Sequence, residues 1–144
     1  MREKLKARAA SEGLANVHFL EPVPKHKLPG VLAASHIGLM ILKQITRPRW
    51  VTPNKIFDYM FTGLPSIVNF AGTTAELVVA DGAGVAAKPG DAMDLAKHIE
   101  YWVDHPAERA AVGQRARDVA MTKYDRRAIA ERMGAIFREC AKAR

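Results

Sequence analysis

The residues best suited to chemistry in this 144-residue chain are cations. Between Pro22 and Phe57 there is no Asp or Glu, yet Lys25, Lys27, Lys43, Arg47, Arg49 and Lys55 all fall there, with His26 and His36. Positive charge gathered in this way suits an anion, whether phosphate, nucleotide, nucleic acid or acidic membrane. It is equally the composition of a solvated basic surface. The window ends where a helix should begin, at Asn54 and Lys55. Free backbone N–H groups and the dipole make a helix start an anion site. A lysine there is slightly unfavourable against the dipole unless an anion sits beside it. Asp58 follows Asn54 by one helical turn, on the same face. Its carboxylate could accept hydrogen bonds from ribose or sugar hydroxyls, or it could simply be an acid favoured by the dipole.

Other chemistries have less to stand on. The single cysteine, Cys140, excludes an internal disulfide framework and a multi-cysteine zinc site. His18, His26, His36, His98 and His105 show no metal-ligand spacing, so no metal and no cofactor are expected. Glu76 reads as the capping-box partner of Thr73. Nucleic acid would need stacking aromatics or a reading helix, and the basic window offers only Trp50 and Phe57.

The composition bounds the class. Lys plus Arg is 22 against 15 Asp plus Glu, a net charge of +7. Apolar residues at 49% exclude a disordered tail. No apolar run much exceeds residues 37–42, and a membrane span needs roughly 20. The basic first residues lead into no apolar core, so no secretory signal is expected. A cytoplasmic protein is expected, with a basic surface able to hold it at the inner face of a membrane.

Helices and short strands alternate along the chain around these candidates. Helices are predicted over 2–12, closed by Gly13, and over 28–34. Strands are predicted over 17–20, 37–42, 65–70 and 85–87. Thr52 suits an N-cap, Pro53 a first helical position and Gly63 a helix stop. Ile56 with Met60, and Phe57 with Phe61, should bury one face of that helix. A further helix opens at 73–76 and runs to about residue 80. Asp91 caps the next, with Leu95, Ile99 and Trp102 at helical spacing, Trp102 in the core and Tyr101 at its rim. Pro106 starts another, running to about residue 123. Asp125 caps the last, whose stripe of Ile129, Met133, Ile136, Phe137 and Cys140 should face the core. The fold class is α/β, an open and mostly parallel sheet of about four strands flanked by helices. A complete doubly wound sheet usually has about five or six.

Residues 52–65, TPNKIFDYMFTGLP, resemble the P-N-K-x-F-[DE]-Y-M-A-x-G-x-P segment of retaining glycosyltransferases of family 4. Upstream, GLANVHFL at 13–20 is similar to that family's G-L-x-N-V-x-F-L, and ASHIGL at 34–39 to its A-A-D-V-x-L. Downstream, GTTAELV at 72–78, GAGV at 82–85 and PGD at 89–91 follow in the family's order. The resemblance covers essentially the whole chain. It implies the Rossmann-like, C-terminal donor half of a two-domain GT-B fold, taken here as one domain over residues 1–144. Such enzymes move a sugar from a nucleotide diphosphate to an acceptor with retention, usually without a metal.

Roles carried over by position follow from the resemblance alone. Asp58 matches the second of two motif glutamates, which binds donor ribose. Asn54 and Lys55 match the turn whose N–H groups hold the donor phosphates; Pro53 has no N–H to give. Val23 matches a turn that contacts the base. Arg47 and Arg49 would add charge near the phosphates, and Thr73 opens a turn that faces the donor. The first motif glutamate falls on Trp50, a departure that removes an expected donor-sugar contact. The family's preceding strand, helix and diphosphate-gripping cations would lie before Met1, as would its acceptor domain. The partners implied are a nucleotide sugar, that acceptor domain or a separate chain supplying it, and an anionic membrane surface, with no nucleic acid. The other reading of the same residues is a nucleotide-binding or regulatory module without turnover.

Overall fold

A computed structural model describes residues 1–42 and 52–142. Its centre is a parallel sheet of β1 (Gly38–Met40), β2 (Ser66–Val68) and β3 (Gly84–Ala86), in that spatial order. The register pairs Leu39 with Ile67 and Ile67 with Val85. Around it run α1 (Arg2–Ser11), α2 (Leu28–Ala33), α3 (Lys55–Phe61), α4 (Thr73–Ala80), α5 (Ala92–Asp104), α6 (Pro106–Lys123) and α7 (Arg126–Lys142).

Side chains alternate across a strand, so the sheet has two apolar faces to cover. Met40 and Val68 face a core built by Ile56, Tyr59 and Met60 of α3, Val78 of α4, and Ala116 and Ala120 of α6. Ile67 faces the other way, onto Trp102 of α5 and Val112 of α6, with Leu39 and Val85 beside it. β2 is buried throughout, as a central parallel strand should be.

Helix α6 reaches the α3–β2 turn because Gly113 has no side chain. A Cβ there would lie 2.3 Å from the Gly63 carbonyl oxygen, and backbone cannot step aside. Gly113→Ala should lower stability by about 1–3 kcal/mol, the usual cost of overpacking. Denaturant melts of the two proteins would measure it, and an unchanged midpoint would contradict this close approach.

The ends of α4 and α6 are joined through Asp81. Its carboxylate, nearly buried, accepts from Lys123 Nζ at 2.6 Å and from Tyr124 Oη at 2.5 Å. The Tyr124 ring meets Phe57 of α3 at 4.9 Å between centroids. The bond to Asp81 raises the Lys123 pKa, while burial first and then Asp81 raise that of Tyr124. Raised values mean the fold favours both protonated forms. That contribution is fully present below the ordinary values of 10.0 for Tyr and 10.5 for Lys, and is lost as pH climbs through the raised ones. Asp81→Ala should cost about 1–2 kcal/mol at neutral pH, mostly from the Tyr124 bond, since the solvated lysine adds little. Urea melts across pH should show the gap between variant and parent narrowing above pH 10. A gap that stays constant would count against the cluster.

The structure corrects several sequence expectations. Residues 17–20 form no strand, so among the described residues the sheet has three strands where about four were expected. The carbonyls of Phe19 and Leu20 accept from the Arg2 guanidinium at 3.2 and 3.0 Å, and Arg2 also pairs with Glu21. Helix α3 begins at Lys55 behind Asn54, two residues later than a Pro53 start. Helix α4 is capped by Gly72, at φ +117°, with no side-chain cap bond, so Thr73 is its first residue and the Thr73–Glu76 capping box does not form. The apolar stripe of α7 is not core: Met133, Ile136 and Phe137 are exposed, as is Cys140, and no residue of this helix is buried.

Other expectations hold. Gly13 and Gly63 end their helices at positive φ. Asp91 accepts from the Asp94 N–H at 3.0 Å as the cap of α5, and Trp102 is core while Tyr101 is half exposed.

Candidate functional site

Loops that leave the carboxyl ends of parallel strands are where open α/β sheets hold ligands. Here β1 leads toward α3, and β2 leads through residues 69–72 to α4. The two strand exits are tied together: the Asn69 N–H donates to the Met40 carbonyl at 3.3 Å, and Asn69 Oδ1 accepts from the Leu42 N–H at 2.9 Å. This places the starts of α3 and α4 at the same end of the sheet.

At the start of α3 the backbone donors divide clearly. The Ile56 N–H bonds the Pro53 carbonyl at 3.1 Å, and Phe57 and Asp58 both bond that of Asn54, at 3.0 and 3.2 Å. The N–H groups of Asn54 and Lys55 make no bond to a described residue. Those are the two donors that the sequence singled out. The buried face of α3, made by Ile56, Tyr59 and Met60, anchors the helix. Asn54, Lys55 and Asp58 are thereby left on its exposed side.

Lys55 is held rather than free. Its Nζ donates to the Leu39 carbonyl at 3.2 Å and lies 5.6 Å from the centre of the Tyr59 ring. The Tyr59 hydroxyl donates to the same carbonyl, also at 3.2 Å. The Asp58 carboxylate makes no ion pair or side-chain hydrogen bond with a described residue. A fixed ammonium thus shares one helix start with two N–H groups and a carboxylate that no described residue engages. Cation and amides can take an oxyanion, and the carboxylate can accept from hydroxyls.

The remaining candidates are placed less closely. Thr73 opens α4 at this end of the sheet. Val23 is half exposed between Pro22 and Pro24, ahead of the 3-10 turn Lys25–Lys27, and no described hydrogen bond joins that turn to α3. Lys43, Arg47, Arg49 and Trp50 lie outside the described residues. Sequence reasoning missed Tyr59 and Asn69. Tyr59 had a signal, since it stands four residues after Lys55, where helical side chains meet. Asn69 had none, because its partners at Met40 and Leu42 are distant in sequence.

Among the described residues no three His, Cys, Asp or Glu side chains gather as a metal site would require. A shallow hollow of about 450 Å³ lies at the opposite, amino end of β3, beside Gly82 and Gly84. Tyr101, Trp102, Glu108 and Arg115 line it, and the Tyr101 hydroxyl donates to Glu108 at 2.7 Å. No described helix is long and apolar enough to cross a membrane.

A family model described as "Glycosyl transferase-like" matches residues 2–135. Among solved structures, sucrose-phosphate synthase from Thermosynechococcus elongatus superposes with a TM-score of 0.81 at 22% identity, over 99% of this chain and 35% of that one. HepE of Anabaena, solved in complex with UDP, gives 0.75 at 25% identity, over 92% of this chain and 36% of that one. The same protein in complex with UDP-glucose gives 0.74 at the same identity and coverage. The chain therefore spans about a third of the length of the structures it matches. No curated protein matches it.

Proposed function

The chain belongs to the glycosyl transferase-like family, and from that premise we propose that it is the donor-binding half of a retaining, hexosyltransferase-type glycosyltransferase. The donor is a nucleotide-diphosphate sugar. The observation that carries this reading is the start of α3, where the held Lys55 ammonium and an Asp58 carboxylate bonded to no described residue share one helix start at the carboxyl end of β1. HepE, with UDP and UDP-glucose, supplies the class of ligand to test first.

Each residue has a physical task. The N–H groups of Asn54 and Lys55, with the Lys55 ammonium, bind the diphosphate. They stabilise the negative charge that grows on it as the glycosidic bond breaks. Arg47 and Arg49 add positive charge, Asp58 accepts from the ribose hydroxyls, Val23 lies against the base and Thr73 faces the donor. No metal is needed where cations already meet the leaving group. The acceptor is held by a further domain or a partner chain, and a lipid-linked acceptor would bring the basic surface to an anionic membrane from the cytoplasmic side.

A second reading, nucleotide binding without turnover, draws on Trp50, which stands where the resembled segment has its first motif glutamate. Incubating the protein with UDP-glucose and assaying UDP release, with and without a panel of sugar and lipid-linked acceptors, separates the two. Acceptor-dependent release supports the transferase. Tight binding with no release supports the binding module. Absence of both would overturn the proposal.

A further inference from the structure

We infer that Tyr59 is a positioning residue: with the Leu39 carbonyl it fixes the Lys55 ammonium where a diphosphate can use it. This deepens the reading given under Proposed function and rests on it. Lysine carries a long, flexible side chain whose rotamer freedom is lost on being fixed. At the first position of α3 it also works against the helix dipole. Something must hold it, and the structure supplies the holder.

The backbone logic of β1 explains why an acceptor is available. The Gly38 N–H bonds Pro65 of the neighbouring segment, and the Met40 carbonyl accepts from Asn69. Residues 38 and 40 therefore turn toward β2, and Leu39 between them turns its carbonyl to the other edge. Among the described residues β1 is an edge strand on that side. The carbonyl is taken by side chains instead of a ladder, Lys55 Nζ and Tyr59 Oη both at 3.2 Å.

Tyr59 is itself fixed. It is buried, and Gly38 lets the ring lie flat on β1: a Cβ at position 38 would sit 2.6 Å from Tyr59 Cδ2. The ring then offers its negative face to the ammonium at 5.6 Å. An ammonium has three donors. One goes to Leu39, and no other described residue takes the rest, which can then meet an anion. Meeting the ordering cost before the ligand arrives strengthens binding without a new contact.

The test is a double-mutant cycle read by calorimetric titration with UDP, using the parent chain, Lys55→Ala, Tyr59→Phe and the double variant. Tyr59→Phe keeps the fold and the ring but removes the hydroxyl bond to the Leu39 carbonyl, which seats the ring beneath the ammonium. Lys55→Ala should weaken UDP binding roughly 10-fold or more, the loss of a charge-assisted bond. Tyr59→Phe should weaken it about 2- to 5-fold where Lys55 is present, and leave it unchanged where Lys55 is already alanine. Lys55→Ala weakening binding while Tyr59→Phe does not would overturn the positioning role alone. Equal losses from Tyr59→Phe in both backgrounds would make Tyr59 a merely structural residue and overturn the positioning role as well. No UDP binding by the parent, or full affinity in Lys55→Ala, would overturn the donor-site reading and this inference with it.

Discussion

Met60→Ala should destabilise the protein by about 2–5 kcal/mol, the range for deleting a buried methionine side chain. Met60 is fully buried in α3, in the same cluster as Met40, Val68, Ala116 and Ala120. Those neighbours come from two strands and another helix, so the cavity cannot close by moving one element. Small domains hold only about 5–15 kcal/mol in total, which makes this a large fraction. A urea melt followed by circular dichroism measures it, with an unchanged denaturant slope expected. A loss below about 0.5 kcal/mol, typical of a surface change, would contradict the assignment of this helix face to the core.

Asp58→Ala acts on the opposite face of the same helix and should leave the melt nearly unchanged. It is expected to weaken nucleotide-diphosphate binding by about 1–3 kcal/mol, or roughly 5- to 150-fold in dissociation constant, as for a lost hydrogen bond to a charged group. The carboxylate is exposed and bonded to no described residue, so its removal strands no buried partner. Titration with UDP and with inorganic diphosphate separates the roles. Removing a hydroxyl acceptor should weaken UDP and spare diphosphate. Equal affinity for UDP before and after the change would remove Asp58 from the ribose.

Together these two substitutions show why part of the molecule could be read from its sequence. Local signals were sound: Asp91 caps α5, Pro106 opens α6, and Gly63 ends α3 because each acts within one turn of the chain. The burial of Ile56 and Met60 followed from spacing, whereas Phe57 and Phe61 are only partly buried and Tyr59 completes the buried face; Asn54, Lys55 and Asp58 stand exposed. Signals that depend on a distant partner misled. The run at 17–20 has β-type residues, but a strand needs a neighbour, and Arg2 takes the carbonyls of Phe19 and Leu20 instead. The stripe on α7 gave the side that is apolar, not what lies against it, and Phe137 is exposed. The Lys55 acceptor was invisible for the same reason: it is a backbone carbonyl on β1, 16 residues away.

The central claim is a nucleotide-diphosphate site at the carboxyl end of the sheet. The most direct measurement is thermal stability against UDP, GDP, ADP and their sugar conjugates. A ligand that binds only the folded chain, present at a hundred times its dissociation constant, stabilises it by about 2.7 kcal/mol. A donor site at the start of α3 predicts a selective rise in Tm with one nucleotide and its sugar conjugates, and a smaller rise for Lys55→Ala at the same ligand concentration. No rise with any of them, or an equal rise in Lys55→Ala, would contradict it.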